Sequence, residues 1–232
     1  MILRRVAQSI RRQDWFAVAL EFVLVILGVY LGMTVSEAAR SRTSRAELHR
    51  TLRALHAQLS EDLDTIDHAI EQHEKGREAH ARAIAVLSES QVDLEAFDDA
   101  STNLMAYNLS FWPNSSAYRM LRDTGRLADI DEMGCQLLVT DLFERAYERQ
   151  AGIADDMDDA AKTYRRVRDE SWDRVGNRFL TEEPADVIRI RNAVVLVRNH
   201  SAFYRRYLEK TVRPRLVEAI ASLDAYLERH GG

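Results

Sequence analysis

Apolar residues follow two different patterns along this chain. From Trp15 to Val35 they form a run of 21 residues whose only charge is Glu21; from Leu48 onward they recur at steps of three and four among charged residues. The second pattern leaves one apolar stripe and one polar face, as on an amphipathic helix. The first has no polar face between Phe22 and Leu31, so it predicts a helix surrounded by apolar material on all sides.

The stripe organises the remainder. Leu48, Leu52, Leu55, Leu59, Ile66, Ile70 and Ile84 to Leu87 predict a helix over about 40–88, with Gly76 its weak point. Val139, Leu142, Ala146, Ile153, Met157, Ala160, Tyr164 and Val167 form a coiled-coil-like seam, interrupted at Gln150, on a helix over about 131–180 capped by Asp131. Val187, Ile190, Val194, Val197, Tyr204 and Leu208, then Leu216, Ala219, Leu223 and Tyr226, mark a third over about 185–229. Pro184 sits at its start and Pro214 is expected to kink it. Residues 92–125 read as irregular, with one short helix after Asp93, another after Ser115 and Ser116, and a turn at Thr124-Gly125. Nine glycines and three prolines leave little room for the turns that strands require. The fold class is all-α: an N-terminal transmembrane helix followed by an elongated antiparallel bundle, four-stranded once the middle segment packs in.

At about 1.5 Å per residue the apolar run measures roughly 30 Å, the thickness of a bilayer's hydrocarbon core. Trp15, Phe16 and the preceding Arg4, Arg5, Arg11 and Arg12 supply interfacial anchors. This divides the chain into a short basic tail (1–14), a transmembrane helix (15–36) and a helical domain (37–232). A cleaved signal peptide is the alternative, because Ser36-Glu37-Ala38 places small residues where a peptidase reads; the length of the run and Glu21 inside it favour an uncleaved anchor. Four arginines on each side of the span leave the positive-inside rule nearly tied. Long domains cross membranes largely regardless of charge, which favours an extracytoplasmic main domain.

Glu21, Gly28 and Gly32 fall on one side of this helix, and the two glycines form a small-xxx-small pair. That face can self-associate, with Glu21 hydrogen-bonding across the interface. The plainer reading is a monomeric anchor whose glutamate reaches the near interface.

Net charge is −5, and acids interleave the arginines even in "TYRRVRDESWDR". No basic face of the kind nucleic acid needs is present. Seven histidines raise a metal question, but His49/His56 and His73/His80 are each seven apart, about 10 Å along an axis, and read as solvated polar positions. "DDMDD" (155–159) resembles a diphosphate–magnesium motif without its second acidic partner, and reads as an acidic surface patch. Cys135, the only cysteine, reads as a small buried hydrophobe. No catalytic, cofactor or metal residues are assigned, and no enzymatic activity is expected. The irregular stretch "FWPNSSAYRMLRDTG" crowds aromatic and polar residues on a loop, so Trp112, Tyr118 and Arg119 are candidates for a partner or ligand site. The alternative is that Trp112 and Tyr118 cap the core.

"LEFVLVILGVYLG" (Leu20–Gly32) and "SSAYRMLRDTGRLADI" (Ser115–Ile130) resemble stretches of an uncharacterised family of bacterial single-span membrane proteins with a short basic tail, a Glu-led span and a helical domain. The span exit, "TVSEAAR", departs from the family's Asn-Asn-Trp-Asn-like exit. The resemblance implies a single-pass bacterial membrane protein and assigns no activity; the inner membrane is the location expected for it. Its expected role is interaction: self-association and docking of other envelope proteins. A small-molecule-sensing bundle is the rival from another class.

Overall fold

The computed structural model describes the backbone of residues 15–101, 104, 108–173, 178–179 and 183–230; the basic tail, 1–14, lies outside them. The chain divides into two compact units, Met1–Arg50 and Thr51–Gly232. Helix α1, Trp15–Val86, supplies all the described residues of the first unit and opens the second. Within the first unit the twelve large apolar side chains from Leu20 to Val35 are each 48–68% exposed. Polar groups are handled within the helix, where the Thr34 hydroxyl donates to the Leu31 carbonyl at 2.9 Å. One helix here is therefore long and apolar enough to cross a membrane.

The second unit is a helical bundle. After α1 come α2 (Leu94–Ser101), α3 (Ser116–Asp123) and a 3₁₀ turn, Arg126–Asp129. Two long runs follow. The first is α4 (Met133–Asp141), a π-turn at Leu142–Tyr147 and α5 (Glu148–Glu170). The second is α6 (Pro184–Tyr207), a π-turn at Leu208–Val212 and α7 (Arg213–His230). Cross-links fix the directions. His56 meets Asp224, Asp67 meets Arg213, and Glu74 meets Arg205, so numbers fall on α6–α7 as they rise on α1. Arg189 meets Glu170, and Tyr204 meets Gln150, so the second and third runs are antiparallel too.

The core follows the apolar stripes closely. At one end Ala79 and Ala83 of α1, and Leu87 just past its end, pack with Ala160, Tyr164, Ile190, Val194 and Val197. Towards the other end Leu52, Leu55, Leu59, Val139, Leu142, Leu216, Ala219 and Leu223 have no exposed surface. At roughly 25 cal/mol per Å² of apolar area removed from water, each such leucine contributes about 2 kcal/mol.

Several expectations are corrected. Pro214, expected to kink its helix, lies in the first turn of α7 directly after a π-turn. Having no N–H for the carbonyl four residues back, it is accommodated by the wider turn at Leu208–Val212 just upstream. The other π-turn contains no proline; by widening the helix it turns Leu142, Phe143, Ala146 and Tyr147 inward within six residues. The two π-turns pack against each other. The second long helix ends at Glu170, ten residues earlier than expected, and Trp172–Asp173 then pairs antiparallel with Arg178–Phe179. Its N-cap is Glu132, not Asp131, and no side chain caps it. Asn114 rather than Ser115 serves the start of α3, its Oδ1 accepting the Ser116 N–H at 3.1 Å. Asp93 does cap α2, accepting the Ala96 N–H at 2.9 Å.

Gly125 has φ +72°, in the left-handed region, with open space where a Cβ would stand. Gly125→Ala should therefore cost about 1 kcal/mol through backbone strain alone, read from denaturant unfolding of the bundle. An unchanged midpoint would show that this turn relaxes freely.

Candidate functional site

Between Leu104 and α3 the described chain is irregular, with Phe111 fully inside the bundle. Backbone groups there have no helical partner, and a buried unpaired N–H or C=O costs about 1–3 kcal/mol. Side chains from the three long runs supply the partners. The Leu109 carbonyl lies 2.9 Å from His73 Nε2. Since a carbonyl only accepts, Nε2 carries the proton, and Nδ1 accepts from the Ser201 hydroxyl at 2.7 Å. The Phe111 N–H donates to the Tyr204 hydroxyl at 2.7 Å, and its carbonyl accepts from Gln150 Nε2 at 2.7 Å. Gln150 gives its second amide proton to Tyr204 at 2.8 Å, leaving its Oε1 unpaired. Asp62 accepts the Tyr147 hydroxyl at 2.8 Å and the Asn114 N–H. Gln58 holds the end of the segment, donating to Ser116 Oγ at 2.6 Å and accepting the Ala117 N–H at 3.2 Å. Ser110 donates to Asp158 at 2.8 Å.

Two positions taken as surface features are buried, and one of them, His73, belongs to this layer. His73 and His80, expected to be solvated, are each 1% exposed. Seven residues put them on one face of α1, and that face is the core. Gln150, which interrupts the apolar seam, is buried because the irregular segment needs a donor there.

Electrostatics follow burial. Desolvation pushes His80 down to about 4, with His73 and Arg198 adding to the effect against the Gly76 carbonyl. It lowers His73 too, more than the Leu109 carbonyl raises it. Both imidazoles are neutral at pH 7. Burial raises Tyr204 to about 12 and Asp62 to about 6; at Asp62 the Tyr147 and Asn114 hydrogen bonds oppose the shift only in part.

The three sequence candidates separate. Tyr118 is buried, stacked on Phe143 at 4.3 Å between centroids, and donates to Glu144 at 2.8 Å. Trp112 is 56% exposed, and Arg119 on α3 is exposed as well. Trp112 thus stands outward between two anchored residues, Phe111 and Asn114. Glu21, Gly28 and Gly32 lie in the first unit; Glu21 is exposed, and nothing comes within 4 Å of a Cβ built on either glycine.

In "DDMDD", Met157 is core, Asp158 holds Ser110, and Asp155, Asp156 and Asp159 face outward. Among the described residues no group of three His, Cys, Asp or Glu side chains could hold a metal ion. Cys135 is buried and free. A surface groove of about 460 Å³ beside the paired π-turns includes Arg149, Tyr207, Thr211 and Arg215 in its lining.

No family model, curated protein or solved structure matches the chain.

His80 has a folded pKa below the unfolded value, so its contribution is full above pH 6.5 and is lost as pH falls towards 4. Its loss amounts to about 2–3 kcal/mol. His73 has the same sign. Asp62 has the opposite one, its stabilisation being lost as pH rises from about 4 to about 6. The two imidazoles outweigh the one carboxyl, so thermal unfolding should show net loss of stability from pH 7 to pH 4.5. His80→Leu should flatten that loss; an equally steep profile in the variant would remove His80 from the account.

Proposed function

We propose that this is a single-pass membrane-anchored helical protein whose role is interaction, not catalysis. The observation that carries the reading is the Leu20–Val35 surface. Twelve large apolar side chains exposed on one helix have no place in water and are what a bilayer core accepts. The resemblance at Leu20–Gly32 and Ser115–Ile130 supports a bacterial membrane protein; that long domains cross membranes largely regardless of charge favours the bundle on the extracytoplasmic side.

Within the bilayer, Gly28 and Gly32 let a second copy's helix approach closely, and Glu21 on the same side hydrogen-bonds across that contact. Outside it, Trp112 is the residue most suited to anchor a partner protein of the envelope. A large aromatic held on a pinned backbone loses little entropy when it is covered.

The anchor is tested by carbonate extraction of membranes containing the full chain. Retention in the pellet is expected, and recovery of the intact chain in the supernatant would end the reading. Self-association is tested by crosslinking in native membranes. Glu21→Gln with Gly28→Ile and Gly32→Ile should lower dimer yield about tenfold, while Trp112→Ala should spare the dimer and reduce co-purifying partners.

A further inference from the structure

We propose that Asp62 is a protonation-controlled clasp on the Leu109–Ala117 segment: it holds the segment closed when the carboxyl is neutral and loosens it when the carboxyl is ionised. This would regulate the presentation of Trp112, and in that consequence alone it rests on the docking role given to Trp112 above.

The geometry is a three-way junction. Asp62, on α1 and 5% exposed, accepts the Tyr147 hydroxyl from the π-turn at Leu142–Tyr147 and the Asn114 N–H from the segment itself. One turn back, Gln58 holds Ser116 and Ala117, so a single stretch of α1 carries both anchors at this end. The groups acting on the carboxyl's charge are Tyr147, Asn114 and its neighbour Glu61, whose like charge opposes ionisation. No cation is among them. Other carboxylates meet arginine, as exposed Asp67 and Glu170 and half-buried Asp141 do, whereas among the described residues this buried one does not.

The hydrogen bonds survive protonation while the charge does not. A neutral carboxyl can donate its O–H to the Tyr147 phenol oxygen and still accept the Asn114 N–H through its other oxygen. The ionised form keeps both contacts but leaves a charge out of water without a counter-ion. Once the segment is released, the carboxyl returns to water and to its ordinary pKa of 3.8, against about 6 in the closed form. The closed form therefore binds a proton that the open form lacks between about pH 4 and 6, so opening becomes easier as pH rises through that window and levels off above it. His73, which holds Leu109 from the same helix, works in the reverse sense. Burial disfavours its cation, so acid loosens the other end of the segment.

The test is hydrogen exchange, followed by mass spectrometry, on peptides spanning 109–117 in the full chain in detergent micelles, from pH 4.5 to 7.5 and corrected for intrinsic rates. Comparing variants at each pH cancels the histidine contribution. Asp62→Asn should exchange more slowly than the parent at pH 7.5, by about tenfold to a hundredfold, with the difference narrowing to about fivefold or less at pH 4.5. Tyr147→Phe removes one acceptor contact of the ionised carboxylate and should exchange faster than the parent at pH 7.5, with a smaller difference at pH 4.5. A parent-to-Asp62→Asn ratio that does not change with pH, or a Tyr147→Phe effect equal at both ends, overturns the clasp. Partner capture by Trp112 is read separately, so the clasp can stand if docking fails, and docking can stand if the clasp fails.

Discussion

Backbone amides and carbonyls cannot be left bare inside a bundle, and the second unit is arranged around that constraint. Helices meet it internally. The stretch leading to α3 does not, because an irregular chain has no partner four residues away. His73, Gln150, Tyr204 and Asp62 inside the bundle, with half-buried Gln58 at its edge, are the response: polar side chains spread over the three long runs, each spent on the backbone of one segment. Placed there without that segment they would be costly. With it they fix where it runs, and so where Trp112 emerges.

This explains the pattern of what was legible in the sequence. Helix positions and the core were readable because burial of Leu52, Val139, Val194 or Leu223 obeys a helical period that neighbours cannot easily override. The polar layer was not, because its logic is long-range. His73 answers Leu109, 36 residues away, and Gln150 answers Phe111, 39 away, so neither has a local signature. A histidine on an apolar face was nonetheless a usable signal. His73 lies seven residues after Ile66, and seven steps keep a residue on nearly the same side of a helix. The π-turns were illegible for a related reason. Pro214 announces an irregularity but not its place, and Leu142–Tyr147 carries no breaker at all. The sequence pointed to Trp112, Tyr118 and Arg119 as one cluster, whereas the fold turns Tyr118 into the core and the other two outward.

The first unit meets the same constraint within its own helix. Around Leu20–Val35 the helix satisfies its own backbone and exposes mostly hydrocarbon, interrupted by Glu21 and the hydroxyls of Tyr30 and Thr34. A bilayer asks for that combination. The proposed function joins the two solutions: an apolar helix that needs lipid, and a bundle that presents an exposed tryptophan from a segment held by buried polar contacts.

The central claim is that side chains, not helix packing alone, hold the irregular segment. A double-mutant cycle between Gln150→Leu and Tyr204→Phe tests it most directly, with unfolding free energies measured at pH 7.5. Both residues serve Phe111 and each other, so the account predicts coupling of about 1 kcal/mol or more, with the double variant less destabilised than the sum of the singles. Additivity within about 0.3 kcal/mol would contradict it.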